Sequence, residues 1–563
     1  MRLLALLAGS GAAAAAADPV AITVGGQLAT MRPGFVSFNV DFDNRPSQLQ
    51  AGFYTVDFSD TRLRAMAAAL SPAALRVGGG DEDKQVYAVG DYAPQSATAD
   101  YDPWSVRNTT RKNLMLVTPE RYAALAAFAK SAGLRLIWAF NIFYGVCCDS
   151  AFAGKCPPHN CTCAHPAPAG KSRCYPCHGG TCRAFDSSNA EAMLAHMKAT
   201  GNVPWAVQLG NEGGNGIAPL SGATSARAFM ALDDAIRRVW KGNTTASAPI
   251  IMGPDGGSPE PYLTDFWSTL RQAKRESLLA AFSYHTYGQA TNGGTGHAGL
   301  RNATVLSSEY AASYWERNLA QKFAFNQPSS QTQVWVGESA SHAGGGTPSV
   351  SNAFASLYYY LDSLGATAAA NHSGFLRQDL TGAAYGLVEG CATAGKWETY
   401  NLKVSKSRTP PGTCRPNPDF FGAVLFRRLM AAGGERVMNV SATSGQLRAW
   451  GHCAAKASDM TLLLLNLENR TVSVDLSRAA ADDSTRTDWV MTPGETPTNK
   501  DPSELLKSTV VELNGTPLRM GGGGDVMPSL EGTAVTGTAV ATLELPPLAI
   551  AFAVVHSAKA CGQ

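Results

Sequence analysis

The stretch "TPERYAALAAFAKSAGLRLIWAFNI", residues 118–142, holds one complete repeat of the pattern that sets the fold. Thr118 is a helix-start residue, Glu120 sits in the first turn, and Gly133 stands at the far end, so 118–133 reads as a helix with its own stop. The run "LRLIWAFNI" (134–142) that follows is apolar, aromatic and β-branched, the signature of a buried strand. Similar strand runs occur at 34–42, 74–79, 204–212, 248–255, 281–287 and 332–339, with helical-period segments such as "SNAFASLYYYLDSLG" (351–365) between them. Strand–helix alternation repeated seven or eight times predicts a parallel (β/α)8 barrel over residues 33–430.

After about residue 432 the pattern changes. "QLRAWGHCA", "MTLLLLNLE", "RTVSVDLS", "STVVELNG" and "AVATLELPPLAIAFAVVH" are strands divided by turns, which predicts an antiparallel β-sandwich over 431–563. "VAITVGG" lies ahead of the barrel, and the segment 18–32 is expected to add a strand to that sandwich. The whole is an α/β chain with a TIM barrel and a mainly C-terminal β-sandwich. At 563 residues, 45% hydrophobic and 16% charged, it has the composition of an ordinary globular protein. A net charge of +2 argues against a nucleic-acid partner.

The first 17 residues, one Arg followed by an apolar and then alanine-rich stretch, read as a secretory signal peptide. No later segment has the roughly 20 apolar residues of a spanning helix, which leaves peripheral association with a membrane or the matrix open. Eight of the twelve cysteines fall between Cys147 and Cys182, inside an irregular insertion at 143–187. Cys174-x-x-Cys177 and Cys161-x-Cys163 have zinc-like spacing, but in a secreted chain a disulfide-stapled loop is preferred. A second irregular loop, 391–419, has Cys391 and Cys414 near its ends and reads as another stapled loop. Acceptor sequons stand at Asn108, Asn160, Asn243, Asn302, Asn371, Asn439, Asn469 and Asn514. Leader, cysteines and sequons agree on the secretory pathway, with an extracellular, lysosomal or vacuolar destination.

In a barrel of this kind, polar residues at the C-terminal strand ends face the active site. Those ends carry Asp41 after the first strand, Asn141 after the third, Asn211-Glu212 after the fourth, His285 and Tyr287 after the sixth, and Glu338 after the seventh. Paired carboxyls from two strands are what retaining glycoside hydrolysis needs: one protonated to donate to the leaving oxygen, one ionised to attack the anomeric carbon. Asn211, beside the acid, is placed to hold a sugar hydroxyl, and Tyr287 to donate to the nucleophile. Taken singly, a strand-end Glu is more often a cap or a solvated carboxylate, and His285 a satisfied core histidine. No metal or cofactor is required by this chemistry.

"VQLGNEGG" and "VWVGESASHAGGG" resemble the acid/base and nucleophile motifs of the heparanase and β-glucuronidase family of retaining hydrolases, glycoside hydrolase family 79. "GFVSFNVD", "SPAALRVGG", "GLRLIWAFNIF", "DSSNAEAMLAHMKATGN", "SLGATAAANHSGFLRQDLTGAAYGLVE" and "PDFFGAVLFRRLM" are similar to family segments in the same order. The resemblance implies Glu212 as acid/base, Glu338 as nucleophile, and Asp41 and Asn211 on sugar hydroxyls. It also implies that the backbone N–H groups of Gly344 and Gly345, with Tyr385, hold a uronate carboxylate, and that Cys453 and Cys561 staple the sandwich. The substrate so implied is a glucuronic-acid-containing oligo- or polysaccharide. This chain departs from the pattern at Ala343 and Gly80, and it has no evident excisable linker between the second and third strands. Its local basic residues, Lys403, Lys406 and Arg408, form no dense cluster. An unsulfated or plant-type glucuronide is therefore as good a candidate as sulfated heparan. A silent glycan-binding protein and a neutral-sugar hydrolase are the competing readings.

Overall fold

The structure is a computed structural model and describes residues 18–42, 52–90, 115–144, 185–213, 220–242, 247–256, 260–288, 332–391, 413–445, 447–494 and 505–562. The leader, nearly all of the cysteine-rich insertion, Lys403, Lys406 and Arg408, and the sequons at Asn108, Asn160, Asn243 and Asn302 lie outside the described residues. Eight strands close a barrel: β1 (Val36–Asp41), β2 (Ala73–Gly78), β3 (Leu134–Phe140), β4 (Ala206–Leu209), β5 (Ile250–Gly256), β6 (Leu279–His285), β7 (Gln333–Ser339) and β8 (Gly374–Arg377). Every neighbouring pair is parallel, with β8 sealing the ring between β7 and β1. Described helices on the outside are α1 (Thr61–Ala69), α2 (Pro119–Ser131), α3 (Ser188–Ala199), α4 (Gly222–Trp240), α5 (Glu260–Gln272), α6 (Phe354–Ala369) and α7 (Pro418–Met430).

The repeat at 118–142 folds as its residues dictate. The Thr118 hydroxyl accepts from the Arg121 N–H at 3.2 Å, Pro119 opens the helix, and Gly133 turns out of it at φ +69°. Tyr122, Leu125, Phe128 and Ala129 face inward, and Tyr122 meets Trp138 of β3 edge-on at 5.0 Å. Inside the barrel, a floor of Ala74, Ile137, Ala206, Met252, Ala281, Trp335 and Leu376 shuts one end. Two residues further along the strands the interior turns polar, with Asn39, Arg76, Gln208, Ser283 and Gln378, all buried.

Of the remaining described strands, four form two small two-stranded sheets and eleven form one mainly antiparallel sheet. The N-terminal strand Val20–Thr30 lies within it, antiparallel to Arg436–Ala442 and parallel to Val472–Asp475. Its register slips between Val24 and Gln27, where Gly25-Gly26 form a bulge that bends the sheet. The unbroken run Met460–Asn466 is buried on both faces: Leu462 and Leu464 pack inside the sandwich, Leu463 and Leu465 against the barrel. Disulfides Cys391–Cys414 and Cys453–Cys561 staple the ends of the second irregular loop and the sandwich end.

Helix α6 is apolar nearly all round because it lies between the two layers. Asp362 accepts from Arg448 Nε at 3.0 Å and Trp450 Nε1 at 2.8 Å, tying the helix to the sandwich. Gly365, one turn on, lets the Trp450 ring lie directly on the helix backbone; a methyl group there would land on the ring. Gly365→Ala is therefore expected to cost about 1–3 kcal/mol despite alanine's better helix propensity. A lower urea midpoint with an unchanged slope checks this; equal or greater stability would mean that the ring is not packed tightly there.

Candidate active site

Three strand ends depart from regular geometry, and each departure aims an acidic residue. After β4, Gly210 (φ +77°) and Glu212 (φ +52°) are left-handed, and Glu212 is anchored by its N–H to the Asp255 carbonyl at 3.0 Å. Asp255, at the end of β5, is itself left-handed at φ +57°. Non-glycine residues in that region store of order 1 kcal/mol or more, the kind of local strain that gathers at functional sites. In β7, Trp335 and Gly337 face the interior, so strict alternation would send Glu338 outward. Register shifts after Val336, against both neighbouring strands, bring it back to the mouth. Gly337 also leaves the space that the Asp255 carboxyl fills.

Arg76 is the hub beneath these residues, wholly buried in the middle of β2. Its Nε donates to Gln208 Oε1 at 2.7 Å and its NH1 to Glu338 Oε2 at 3.0 Å. NH2 reaches Asn211 Oδ1 at 3.0 Å, Glu82 Oε2 at 3.3 Å and, closest of all, Asp255. Against the burial that works to lower it, Asp255, Glu82 and Glu338 hold the guanidinium above its ordinary range. Burial would raise the Asp255 carboxyl, yet Arg76 and then His285 hold it below the ordinary carboxylate range. Burial does push Glu82 up, against Arg76 and together with Asp83 and Asp255.

The acids differ in their partners. Glu338 accepts from Arg76 on Oε2 and from the Tyr287 hydroxyl on Oε1. Burial, with Glu338 close by, raises the Tyr287 phenol far above its usual value, so it stays a donor. Glu212 is the more open of the two, its side chain 18% exposed, with His285 Nδ1 3.0 Å from Oε1. His285 lies beneath both, its side chain 1% exposed; Nε2 is 3.1 Å from Asp255 Oδ2, and Nδ1 is 3.7 Å from Glu338 Oε2. One oxygen each of Glu212 and Glu338 and one His285 nitrogen lie within 4.8 Å of one another, a spacing that would suit a metal ion. Arg76 and Tyr287 already bond the two Glu338 oxygens.

Around this centre Asp41 Oδ2 accepts from Gln378 Nε2 at 2.8 Å, and Gln378 in turn accepts from Asn39 at 2.9 Å. Tyr385 packs with Ala340, Ala383 and Tyr287 on the neighbouring wall. Gly344, Gly345 and Gly346 are all left-handed, and the Gly345 carbonyl accepts from Ala384 N–H at 2.7 Å, joining that loop to the Tyr385 segment. Asn141 turns away, donating to the Gln85 carbonyl at 2.9 Å. Gly80 has open space around it. All four described sequon asparagines, Asn371, Asn439, Asn469 and Asn514, are exposed, and the Asn514 side chain also bonds Val490 N–H and the Asp488 carbonyl. Arg76, Glu82 and Asp255 were not among the residues singled out from the sequence. The signal for Arg76 was a charged residue inside an otherwise apolar strand, "ALRVGG".

A family model described as glycosyl hydrolase family 79, N-terminal domain, matches residues 167–365, the span that carries both glutamates. Heparanase-like protein 1 of Arabidopsis thaliana is 28% identical over 415 residues, 67% of this chain and 68% of that one. Baicalin-beta-D-glucuronidase of Scutellaria baicalensis is 23% identical over 500 residues, 85% of this chain and 80% of its own. These matches support a likeness to the heparanase-like family, glycoside hydrolase family 79. The chain is a glycoside hydrolase, and its barrel has solved counterparts. The 4-O-alpha-L-rhamnosyl-beta-D-glucuronidase of Fusarium oxysporum superposes with a TM-score of 0.57 at 14% identity, covering 95% of this chain and all of that one, a likeness of fold.

Proposed function

We propose that the chain is a retaining β-glucuronidase acting in the secretory pathway or beyond it, with Glu338 as nucleophile and Glu212 as acid/base. The observation that carries this is the approach of a Glu212 oxygen to within 4.8 Å of a Glu338 oxygen. Retaining enzymes hold their carboxyls about 5–5.5 Å apart, whereas inverting ones leave about 6.5–9.5 Å for a water. Glu338, bonded by Arg76 and Tyr287, is prepared as the anion that attacks the anomeric carbon. Glu212, nearer solvent, gives its proton to the departing oxygen and later takes one from the water that opens the ester. Asn211, its Oδ1 engaged by Arg76, is left to offer its amide N–H to a sugar hydroxyl. Asp41, held by Gln378, contacts another sugar hydroxyl.

A glucuronide is favoured because a relative named as a glucuronidase matches 85% of the chain, and because Gly344 and Gly345 stand with Tyr385 at one side of the mouth. The two disulfides and four exposed sequons support an oxidising compartment. If two glycine N–H groups and Tyr385 bind the carboxylate, each worth about 1.5 kcal/mol or more, an aryl β-glucuronide should exceed the matching glucoside and galactoside about 10³-fold in kcat/KM. Equal rates would favour a neutral-sugar hydrolase. Binding without turnover of any member of the panel would favour a silent glycan-binding protein.

A further inference from the structure

In a retaining cycle the negative charge changes place. Before glycosylation Glu338 is ionised and Glu212 carries a proton. In the glycosyl-enzyme Glu338 is a neutral ester, and Glu212, having given its proton to the leaving group, is the anion. Arg76, fixed in the barrel and bonded to Glu338, serves the first half of this cycle. His285 is placed differently. Its Nδ1 lies 3.0 Å from Glu212 and 3.7 Å from Glu338, so a small tilt of the ring exchanges one acceptor for the other. Its Nε2 rests 3.1 Å from Asp255, which is buried, pinned by Arg76 and unable to follow either substrate or solvent.

We propose, resting on the function above, that Asp255 is a positioning residue that keeps His285 as an imidazolium, and that this one cation donates to Glu338 before glycosylation and to Glu212 after it. No proton is transferred by the ring; only its hydrogen bond changes partner. The proton balance of the cycle is carried by Glu212, the leaving group and water. Among the described residues, the charged groups around the ring are Asp255 from β5, Glu212 after β4, Glu338 from β7, and Arg76 and Glu82 from β2 and the turn behind it. Burial works to discharge the imidazole, but Asp255, Glu338 and Glu212 outweigh it and raise it well above the ordinary histidine range.

The test has two arms. In ¹⁵N spectra of the full chain, His285, identified by its loss in His285→Gln, is expected to keep both ring protons from about pH 5 to 8, and to titrate near the ordinary value of about 6.5 in Asp255→Asn. The same variant should gain an alkaline fall in kcat/KM at that pH, absent from the parent. A neutral ring in the parent at pH 6, or an unshifted profile in Asp255→Asn, overturns the proposal. The second arm holds even if that variant does not fold. With an activated 2-deoxy-2-fluoro aryl glucuronide, trapping needs no acid and reports on Glu338, while reactivation needs the base and reports on Glu212. His285→Gln is expected to slow both by about 10- to 100-fold, the worth of a hydrogen bond to a charged group. Slowing of only one means that the ring serves a single acid, and the proposal fails. Product stereochemistry of the parent, read by ¹H spectra, judges the retaining reading separately.

Discussion

Glu338→Gln is expected to lower turnover of an aryl glucuronide by on the order of 10⁵-fold, the scale of loss when a covalent nucleophile is removed. The substitution is nearly isosteric, and the amide oxygen keeps its bond from Tyr287, so the loss comes from chemistry and not from collapse of the site. What disappears is the electron pair that attacks the anomeric carbon. The cost to the fold should be small, since Arg76 keeps Asp255 as a counter-charge after losing Glu338. Mass spectrometry supplies the complementary readout: a 2-fluoro glucuronide should label the peptide containing Glu338 in the parent and leave the variant untouched. Residual turnover above about 1% with the same product stereochemistry would remove Glu338 from the role.

The barrel was legible because its signal is local. Thr118, Glu120 and Gly133 bound a helix, and the apolar run 134–142 can only be a buried strand or a core helix too short to be stable. The eighth strand escaped notice for the same reason: Gly374–Arg377 is four residues long and becomes a strand by pairing with β7 and β1, a long-range event. Glu212, Glu338 and Tyr287 stood out because polar residues that end apolar runs are rare and positional. Arg76 did not, since nothing in "ALRVGG" says that its neighbours Gln208, Ser283 and Asn39 make the barrel polar just above a floor of Trp335. Nor does the sequence disclose the bulge that turns Glu338 inward, for plain alternation points it the other way. Asp255 was hidden in "GPD", where a turn is the ordinary reading. His285 was seen as a strand-end residue, but its engagement with Asp255 and both acids exists only once three strands are brought together. The motif residues were thus readable one at a time, whereas the charge network under them is a property of the closed ring.

Arg76→Met tests that network at its centre. Methionine fills much the same volume but leaves Asp255, Glu82 and Glu338 buried without their shared cation. Removing one partner of a buried ion pair costs about 3–5 kcal/mol, because the orphaned charge keeps its desolvation penalty. The loss should depend on pH in a defined direction. In the parent, burial alone would raise Asp255, but Arg76 and His285 depress it below its unfolded value of about 3.9. Its contribution to stability is therefore fully present above about pH 4 and is lost as the pH falls through the folded value. Without Arg76 burial gains the upper hand, the folded value rises, and ionisation on raising the pH now favours the unfolded chain. The deficit of the variant should be largest near pH 7 and shrink towards pH 4. Urea unfolding at the two pH values measures it directly. Arg76→Lys keeps one charge but cannot reach Gln208, Asn211 and three carboxylates at once, so it should fall between the two. A pH-independent deficit, or an Arg76→Met chain as stable as the parent at pH 7, would show that the guanidinium is not what keeps these carboxylates charged inside the barrel.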